Sequence, residues 1–276
     1  MIATLAFATA LAGPDVDLTS MVDQDGEPVF DTDLLADAYD QLIREVGAMV
    51  SNKPFTPART TGLAGFEMNV STWWVLTDAR NRTDISPWAR ASADEDSEPF
   101  AAVPVLAVRK GLPLSTEVGG QIGWIGGTDN GIAGVWGRVG ILEGFRPLPE
   151  ITGHVGYSGY LGNDGLEVGV LDFGLTLGTT LRSSNAEGHR AGAFSPWFDV
   201  SSLRVSAAPI LDEALADDIG AIPYGGSKTA DHAPALVLAQ FGAGIQATVR
   251  DVHLRVGLAW VPEAIPSLTT GVGFTL

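Results

Sequence analysis

The sequence predicts an all-β fold: an antiparallel up-and-down transmembrane β-barrel of about ten strands (roughly eight to twelve) that follows a short N-terminal helix. Three observations predict this fold. Apolar residues alternate with polar or small residues along most of the chain. Along the chain, long connections between these segments mostly alternate with short ones. The composition is apolar, yet no continuous apolar stretch of transmembrane-helix length follows the N-terminus.

The composition is poor in charge and rich in glycine. Hydrophobic residues make up 45% and charged residues 18% of the 276 residues, whereas typical soluble domains contain about 25% charged residues. Glycine occurs 34 times, about twice its average usage. Because no run of about 18 apolar residues is available for a spanning helix, the apolar residues must be dispersed, as they are in the strands of a membrane barrel.

The net charge of −17 and the absence of cysteine exclude several classes of function. Nucleic-acid binding needs clustered Lys and Arg, so we predict no nucleic-acid partner. A chain without cysteine has no disulfide framework and no thiolate nucleophile. No dinucleotide-binding, phosphate-loop or zinc-protease motif occurs in the required context, and we therefore predict neither a cofactor nor a metal site.

The N-terminal region divides into two segments. Residues 1–12 are apolar and small, and Ala10-Leu11-Ala12 resembles a signal-peptidase site, which predicts a signal peptide or a truncated signal. A buried apolar N-terminal segment is the alternative. Residues 13–31 are acidic and rich in turn-forming residues, which predicts a solvated linker.

Residues 32–53 form a predicted amphipathic helix. The helix has an apolar stripe on one face, and the opposite face carries Asp37, Asp40 and Glu45. An acidic face would be repelled by an anionic membrane surface. We therefore expect the stripe to pack against protein, at the periplasmic mouth of the barrel or partly inside it. An independent helix on a linker is the alternative. The stripe, which has helical three- and four-residue spacing, consists of Leu34, Leu35, Ala38, Leu42, Ile43 and Val46.

The period of the sequence changes to two in residues 60–276, which predicts the barrel itself. In the first strand, for example, Phe66 and Met68 lie on one face and Glu67 on the other. The segments around Pro104 and Asp199 alternate poorly. The predicted strands are 61–77, 100–109, 115–125, 132–142, 150–161, 166–178, 194–206, 235–249, 252–261 and 267–276.

The two faces of these strands differ in a way that indicates their direction. One face is rich in glycine and polar residues, which suits a crowded, curved lumen. The other face is apolar and carries aromatic residues near strand ends, as the girdles of a membrane barrel do. The inward charges either brace one another or line a narrow conducting or binding lumen. The predicted lumen-lining residues are Glu67, Asn69, Glu117, Gln121, Arg138, His154, Asp172, Gln240, Gln246, His253 and Arg255.

The lengths of the connections predict an orientation. If the N-terminus is periplasmic, the two longest connections, 78–99 and 207–234, face outward. The short turns at 110–113 and 250–251 then face the periplasm. Segment 179–193 departs from this rule, because it is long for an inner turn.

Residues 61–67 (TGLAGFE), 108–113 (VRKGLP) and 142–146 (LEGFR) carry a family resemblance. They resemble a group of uncharacterised outer-membrane β-barrel proteins of Gram-negative bacteria, and the resemblance covers roughly residues 34–180. The last strand, with Phe274 and Leu276 on its apolar face, is similar to the signal read by the barrel-assembly machinery, although most such signals end in Phe. The resemblance implies an outer-membrane location among lipid and lipopolysaccharide, with that machinery as a partner during biogenesis. It implies no substrate and no catalytic residue.

Three functional hypotheses follow. The first is an integral outer-membrane barrel, not an enzyme, with a structural role or a narrow pore or transport role. The second is an outer-membrane hydrolase in which Asp231 and His232 of one long connection, with Asp84 and Asp94 of the other, activate water. The third is a soluble β-barrel that binds an apolar ligand. The sequence does not predict the oligomeric state or the solute.

Overall fold

The computed structural model confirms the predicted antiparallel barrel. It describes residues 16–21, 32–77, 88, 100–143, 149–184, 190–210, 223–225 and 234–276. The sheet closes because β6 pairs with β8, while the short β7 pairs only with the beginning of β8, so ten strands form the wall. The strands are β1 (Phe66–Leu76), β2 (Phe100–Leu112), β3 (Thr116–Trp124), β4 (Gly131–Glu143), β5 (Glu150–Leu161), β6 (Leu166–Gly178), β7 (Leu181–Ser184), β8 (Arg190–Pro209), β9 (Leu236–Val249), β10 (Val252–Trp260) and β11 (Pro266–Thr275).

The two segments that alternate poorly in the sequence are nevertheless full strands. Pro104 lies within β2, opposite Thr72 of β1, and β8 continues through Asp199 for 20 residues. β7 pairs with the beginning of β8 beyond the point at which the β6–β8 pairing ends, and β9 pairs with Ala193 and Phe194 on the other side of β8. Residues 181–184 and 190–193 of segment 179–193 are therefore paired strand, which explains why the segment is long.

The two ends of the barrel differ in their connections. At the end where β1 and β8 end, residues 125–130, 162–165 and 261–265 join successive strands, and we call it the long-connection end because the two longest connections of the sequence follow β1 and β8. At the opposite end, which we call the short-turn end, residues 113–115 and 250–251 join successive strands. β1 begins at the short-turn end, and β11 ends beside it, since Glu67 pairs with Thr275.

The outer face of the wall is apolar, as predicted. Val256, Leu258 and Phe274 are 45%, 60% and 40% exposed, and none of them lies in an enclosed core. At the long-connection end Trp74 stacks on Phe100, with ring centroids 5.7 Å apart, and Trp260 packs against Phe241 at 6.1 Å. Both aromatic pairs lie at that end of the barrel, where the sequence predicts aromatic residues near strand ends.

The N-terminal part of the described chain lies inside this wall. A short 3-10 helix (Leu18–Met21) precedes helix α1 (Thr32–Val50), which agrees with the helix predicted from residue 32. Within the described residues, no helix has the length and hydropathy needed to cross a bilayer. The buried apolar residues of α1 are Leu35, Ala38, Tyr39, Leu42, Ile43, Val46, Ala48, Met49 and Val50.

Helix α1 occupies the half of the lumen nearest the long-connection end. Around it the inward residues of the wall are apolar and form one core with the helix. Nearer the short-turn end the inward residues are polar or charged. The inward residues of the apolar half include Trp73, Val75, Val103, Val105, Ile132, Val168, Val170, Leu203, Val205 and Leu238.

Helix α1 contacts connections at the long-connection end of the barrel, although it was predicted to lie at the periplasmic mouth. Arg44 of the helix binds Glu263, which lies in a connection at the long-connection end. Asp40 accepts a hydrogen bond from Tyr224, in another connection at that end. The predicted periplasmic helix and the predicted outward long connections therefore cannot both be right, because the two lie at the same end of the barrel.

Candidate functional site in the barrel lumen

The polar half of the lumen is crossed by residues 51–61, which we call the threading segment. It begins where α1 ends, with Ser51 Oγ 3.2 Å from Gln240 Oε1. It ends near the short-turn end, where the Thr61 backbone N–H donates to Glu117 Oε2 at 2.9 Å. Together, α1 and the threading segment extend through the lumen from one end to the other.

The middle of the threading segment is anchored through its backbone carbonyls. Trp197 Nε1 donates to the Pro54 carbonyl at 2.9 Å, and Arg138 Nη2 donates to the Pro57 carbonyl at 2.8 Å. Thr152 donates to the Ala58 carbonyl. An irregular segment can be buried only if its backbone polar groups find such partners.

Asn52 joins two sides of the wall. Its Nδ2 donates to Asp172 Oδ2 at 2.6 Å, and its Oδ1 accepts from Gln121 Nε2 at 2.9 Å. A Cβ on Gly134 would be 2.6 Å from Asn52 Oδ1, and one on Gly156 would be 2.5 Å from Asn52 Nδ2. The glycines of β4 and β5 thus provide the space in which this side chain lies.

Lys53 points back toward the helix. Its ammonium group donates to the carbonyl of Ala48 and to Ser51 Oγ, the latter at 3.1 Å. The same group lies 5.5 Å from the ring centroid of Trp73, a cation–π distance. Lys53 therefore links the C-terminal end of α1 to the boundary between the apolar and polar halves.

Five buried charged residues form an ion cluster at the short-turn side of the lumen. Glu67 lies 2.6 Å from both Arg109 Nη2 and Arg255 Nη1. Glu117 lies 3.3 Å from Arg109 and 3.4 Å from Arg138. The five residues come from β1, β2, β3, β4 and β10, and only β11 separates β1 from β10, so the cluster links neighbouring strands along the inner face of the wall.

His253 and its neighbours extend this cluster toward the short-turn end. Its Nε2 lies 2.6 Å from Thr275 Oγ1 and its Nδ1 lies 3.0 Å from Thr248 Oγ1. Gln246 Oε1 accepts from Arg255 Nε at 2.6 Å. These contacts tie β9, β10 and β11 together on the inner face.

His154, Asp199 and Ser201 are the residue types of a hydrolase triad. His154 Nδ1 lies 3.6 Å from Asp199 Oδ2, and Ser201 Oγ lies 3.4 Å from His154 Nε2. The Ser201 hydroxyl donates to Asp199 rather than to the histidine, and Thr176 donates to the same carboxylate at 2.7 Å. A serine nucleophile needs its hydroxyl directed at the base, so this group has the geometry of a polar brace.

Each predicted lumen-lining residue lies on an inward face. Gln121 and His154 are half-buried and the other nine are buried. The structure brings four of them (Glu67, Glu117, Arg138 and Arg255) into the ion cluster. Three of the others contact the threading segment: Gln121 and Asp172 through Asn52, and Gln240 through Ser51 and Asn52. Gln246 contacts Arg255 and His253, and His154 contacts Asp199. Asn69 lines the same cavity as Arg255.

The predicted hydrolase residues, Asp84, Asp94, Asp231 and His232, lie outside the described residues. Within the described part of the chain, no group of three or more histidine or carboxylate side chains is arranged to hold a metal ion.

Sequence reasoning missed two important charged residues, Arg109 and Asp199. Arg109 lies at the end of a weakly alternating segment, yet it has the same phase as the inward residues Val105 and Ala107. Asp199 has the inward phase of Ser201 and Leu203. Extending the alternation through the irregular parts of each strand would have identified both.

The long-connection end of the lumen is closed by the chain itself. Trp88 Nε1 donates to Glu45 Oε2 at 2.6 Å, and Gln41 Nε2 donates to Glu45 Oε1 at 2.7 Å. Burial, and then the hydrogen bond to Asp40, raises the pKa of the Tyr224 phenol above its ordinary value. Glu45 is fully buried, although it lies on the acidic face of the helix, because Trp88 and Gln41 cover its carboxylate.

The described residues of the polar half line an inner cavity and a vestibule. The inner cavity of about 70 Å³ is lined by residues that include Lys53, Asn69, Arg109 and Arg255. The vestibule of about 160 Å³ lies toward the short-turn end, and its lining includes His253 and Thr275. Glu67 and Arg109 line both spaces and lie between them.

No protein family and no curated protein matches the sequence. Among solved structures, the KdgM porin is similar, with a TM-score of 0.33 and 8% identity over 75% of this chain and 99% of that one. The NanC porin has a TM-score of 0.31 and 10% identity, over 76% and 100%. Neisserial surface protein A has a TM-score of 0.29 and 11% identity, over 77% and 96%. The family resemblance of residues 34–180 stays a prediction.

Proposed function

We propose that the chain is an integral β-barrel of the bacterial outer membrane whose lumen is closed by its own N-terminal segment, and that its role is structural. The observation that carries the proposal is the occupation of the lumen by α1 and the threading segment from the long-connection end to the short-turn end. Lipid and lipopolysaccharide are the surroundings that this proposal implies, and the barrel-assembly machinery is the partner during insertion.

The membrane location is supported by the outer face. Large apolar residues on every wall strand are exposed there, while glutamates and arginines point inward. The wall strands contain 9 to 20 residues, and about 9–11 residues suffice for a tilted strand to cross the hydrocarbon core. In a soluble ligand-binding barrel the same apolar belt would face water, which is unfavourable.

The closed lumen is supported by the dimensions of the barrel. A helix with its side chains is about 10–12 Å wide, and a barrel of this strand number leaves little interior beyond its own side chains. Nine apolar residues of α1 are buried against the wall. Conduction would therefore require the threading segment to leave contacts such as those of Asn52 and Pro57.

A narrow conduit that opens transiently is the second candidate. The observation that favours it is the arrangement of the vestibule and the inner cavity, which meet at Glu67 and Arg109. Such a path would open at the short-turn end and would be blocked by α1 at the other.

Cell fractionation with a lipid-face variant tests the proposed location. We expect the wild-type protein in the outer-membrane fraction, extracted by detergent and not by alkaline washing. Val256→Arg places a charge on the apolar belt and should sharply reduce the inserted protein, because a lipid-facing Arg costs about 2–4 kcal/mol near the bilayer midplane. Leu114→Arg, in an exposed turn, is the matched control and should insert normally. Recovery of wild-type protein from the periplasm without detergent would contradict the location.

A further inference from the structure

The charges of the ion cluster do not balance. Three arginines (Arg109, Arg138 and Arg255) face two glutamates (Glu67 and Glu117). All five side chains are at most 8% exposed. Asp199 offsets this surplus on the side of Arg138. Arg255 and Arg109, on the other side, share the carboxylate of Glu67, so Arg255 is a buried cation without a carboxylate of its own among the described residues.

Hydrogen bonding in the cluster is also incomplete. Arg255 Nη2 and Arg109 Nε are buried donors without a partner among the described residues. Asn69 Oδ1, on the same side of the lumen, is a buried acceptor without a partner. Leaving a guanidinium N–H buried without an acceptor is costly, because the group loses its hydration and gains nothing in return.

Space for a ligand adjoins these unpaired donors. The inner cavity of about 70 Å³ is lined by Arg109, Arg255 and Asn69. One water needs about 10–15 Å³ on this measure, so the cavity holds a few waters, or a small ion with water. Larger organic anions do not fit. The vestibule leads to Arg109 from the short-turn end.

The remaining charged groups of the cavity belong to a second cluster. They are Lys53, Asp172 and Asp199, with His154 beside them. Asp172 is held by Asn52 and Asp199 by Thr176 and Ser201. This second cluster is acidic, so an anion is attracted to the arginine side of the cavity and repelled from the opposite side.

We propose that the arginine side of the cavity binds a monovalent inorganic anion of the size of chloride, held by Arg255 and Arg109. Water alone would satisfy the unpaired donors, whereas an anion also provides a counter-charge for Arg255, which shares Glu67 with Arg109. A water bridging Asn69 Oδ1 to the anion accounts for the remaining acceptor. This inference depends only on the lumen and is independent of the proposed membrane location.

Crystals of the full-length protein grown with sodium bromide test the site directly. We expect an anomalous bromine peak within hydrogen-bond distance of Arg255 Nη2, replaced by chloride in crystals grown with sodium chloride. Ordered water at this position, with no anomalous peak, would overturn the proposal. The experiment uses the wild-type protein and therefore does not depend on the folding of a variant.

Thermal unfolding in detergent provides an independent test. At matched ionic strength, chloride should raise the unfolding temperature of the wild-type protein by a few degrees relative to gluconate, which is too large for the cavity, and the effect should saturate. Arg255→Gln leaves two arginines and two glutamates, so the chloride effect should vanish. Arg204→Gln, at an exposed position of β8, should retain it. Equal unfolding temperatures of the wild type in both salts would overturn the proposal.

Discussion

Gly47 of α1 lies directly against Val205 of β8. A Cβ on Gly47 would be 2.7 Å from both methyl carbons of Val205, closer than real Cβ atoms come to other carbons. The absence of a side chain at this position lets the helix approach the wall closely, which a helix inside a ten-stranded barrel requires.

Gly47→Ala should therefore destabilise the protein. In an open helix this change stabilises by about 1 kcal/mol, because alanine is the better helix former. In the lumen the added methyl group meets Val205, and overpacking costs about 1–3 kcal/mol. The midpoint of urea unfolding in detergent measures the difference. Gly47→Ala combined with Val205→Ala restores space and should recover part of the loss, whereas a stabilised single variant would show that α1 does not lie against β8.

Asn52→Asp should loosen the threading segment. The new carboxylate would lie where the amide now donates to Asp172 at 2.6 Å, and two buried carboxylates repel each other. We expect a loss of about 1–3 kcal/mol, the usual cost of an unsatisfied buried polar group, and faster proteolysis of the segment.

The matched control exchanges the two groups. Asn52→Asp combined with Asp172→Asn restores a carboxylate–amide pair at the same place and should regain much of the lost stability. If the double variant is as unstable as the single variant, Asn52 and Asp172 do not interact as described.

The wall could be predicted from the sequence because alternation fixes the direction of each side chain. Met68 and Val70 point outward and Glu67 and Asn69 inward, as their phase in β1 predicts. In β2 the alternation of inward and outward side chains continues through Pro104, since Val103 and Val105 on either side of it are both buried. The polarity of the residues around Pro104 did not show this alternation.

The contents of the lumen could be predicted only in part. The pattern of α1 showed that Leu42 and Val46 must be buried, but the same pattern fits a helix at either end of the barrel. One signal was present: the run Trp73-Trp74-Val75-Leu76 is apolar on both faces of β1, which indicates burial on the inner side as well. The partners of Asn52 depend on strand register, which composition does not specify.

Single cysteines test the orientation, since the chain contains none. Thr19→Cys and Asp164→Cys lie at the long-connection end, and Asp251→Cys lies at the short-turn end. If the long connections face outward, a membrane-impermeant maleimide should label the first two on intact cells and the third only after lysis. Labelling of Asp251→Cys alone on intact cells would place α1 on the periplasmic side. Labelling of Thr19→Cys and Asp164→Cys on opposite sides would contradict the described fold.

Single-channel recording in planar bilayers tests the closed lumen most directly. Wild-type protein inserted into the bilayer should give no steady conductance, because α1 and the threading segment fill the barrel. Removal of residues 16–61, with insertion verified separately, should produce ion-conducting pores. A stable open conductance of the wild-type protein, unchanged by Gly47→Ala or Asn52→Asp, would contradict the account.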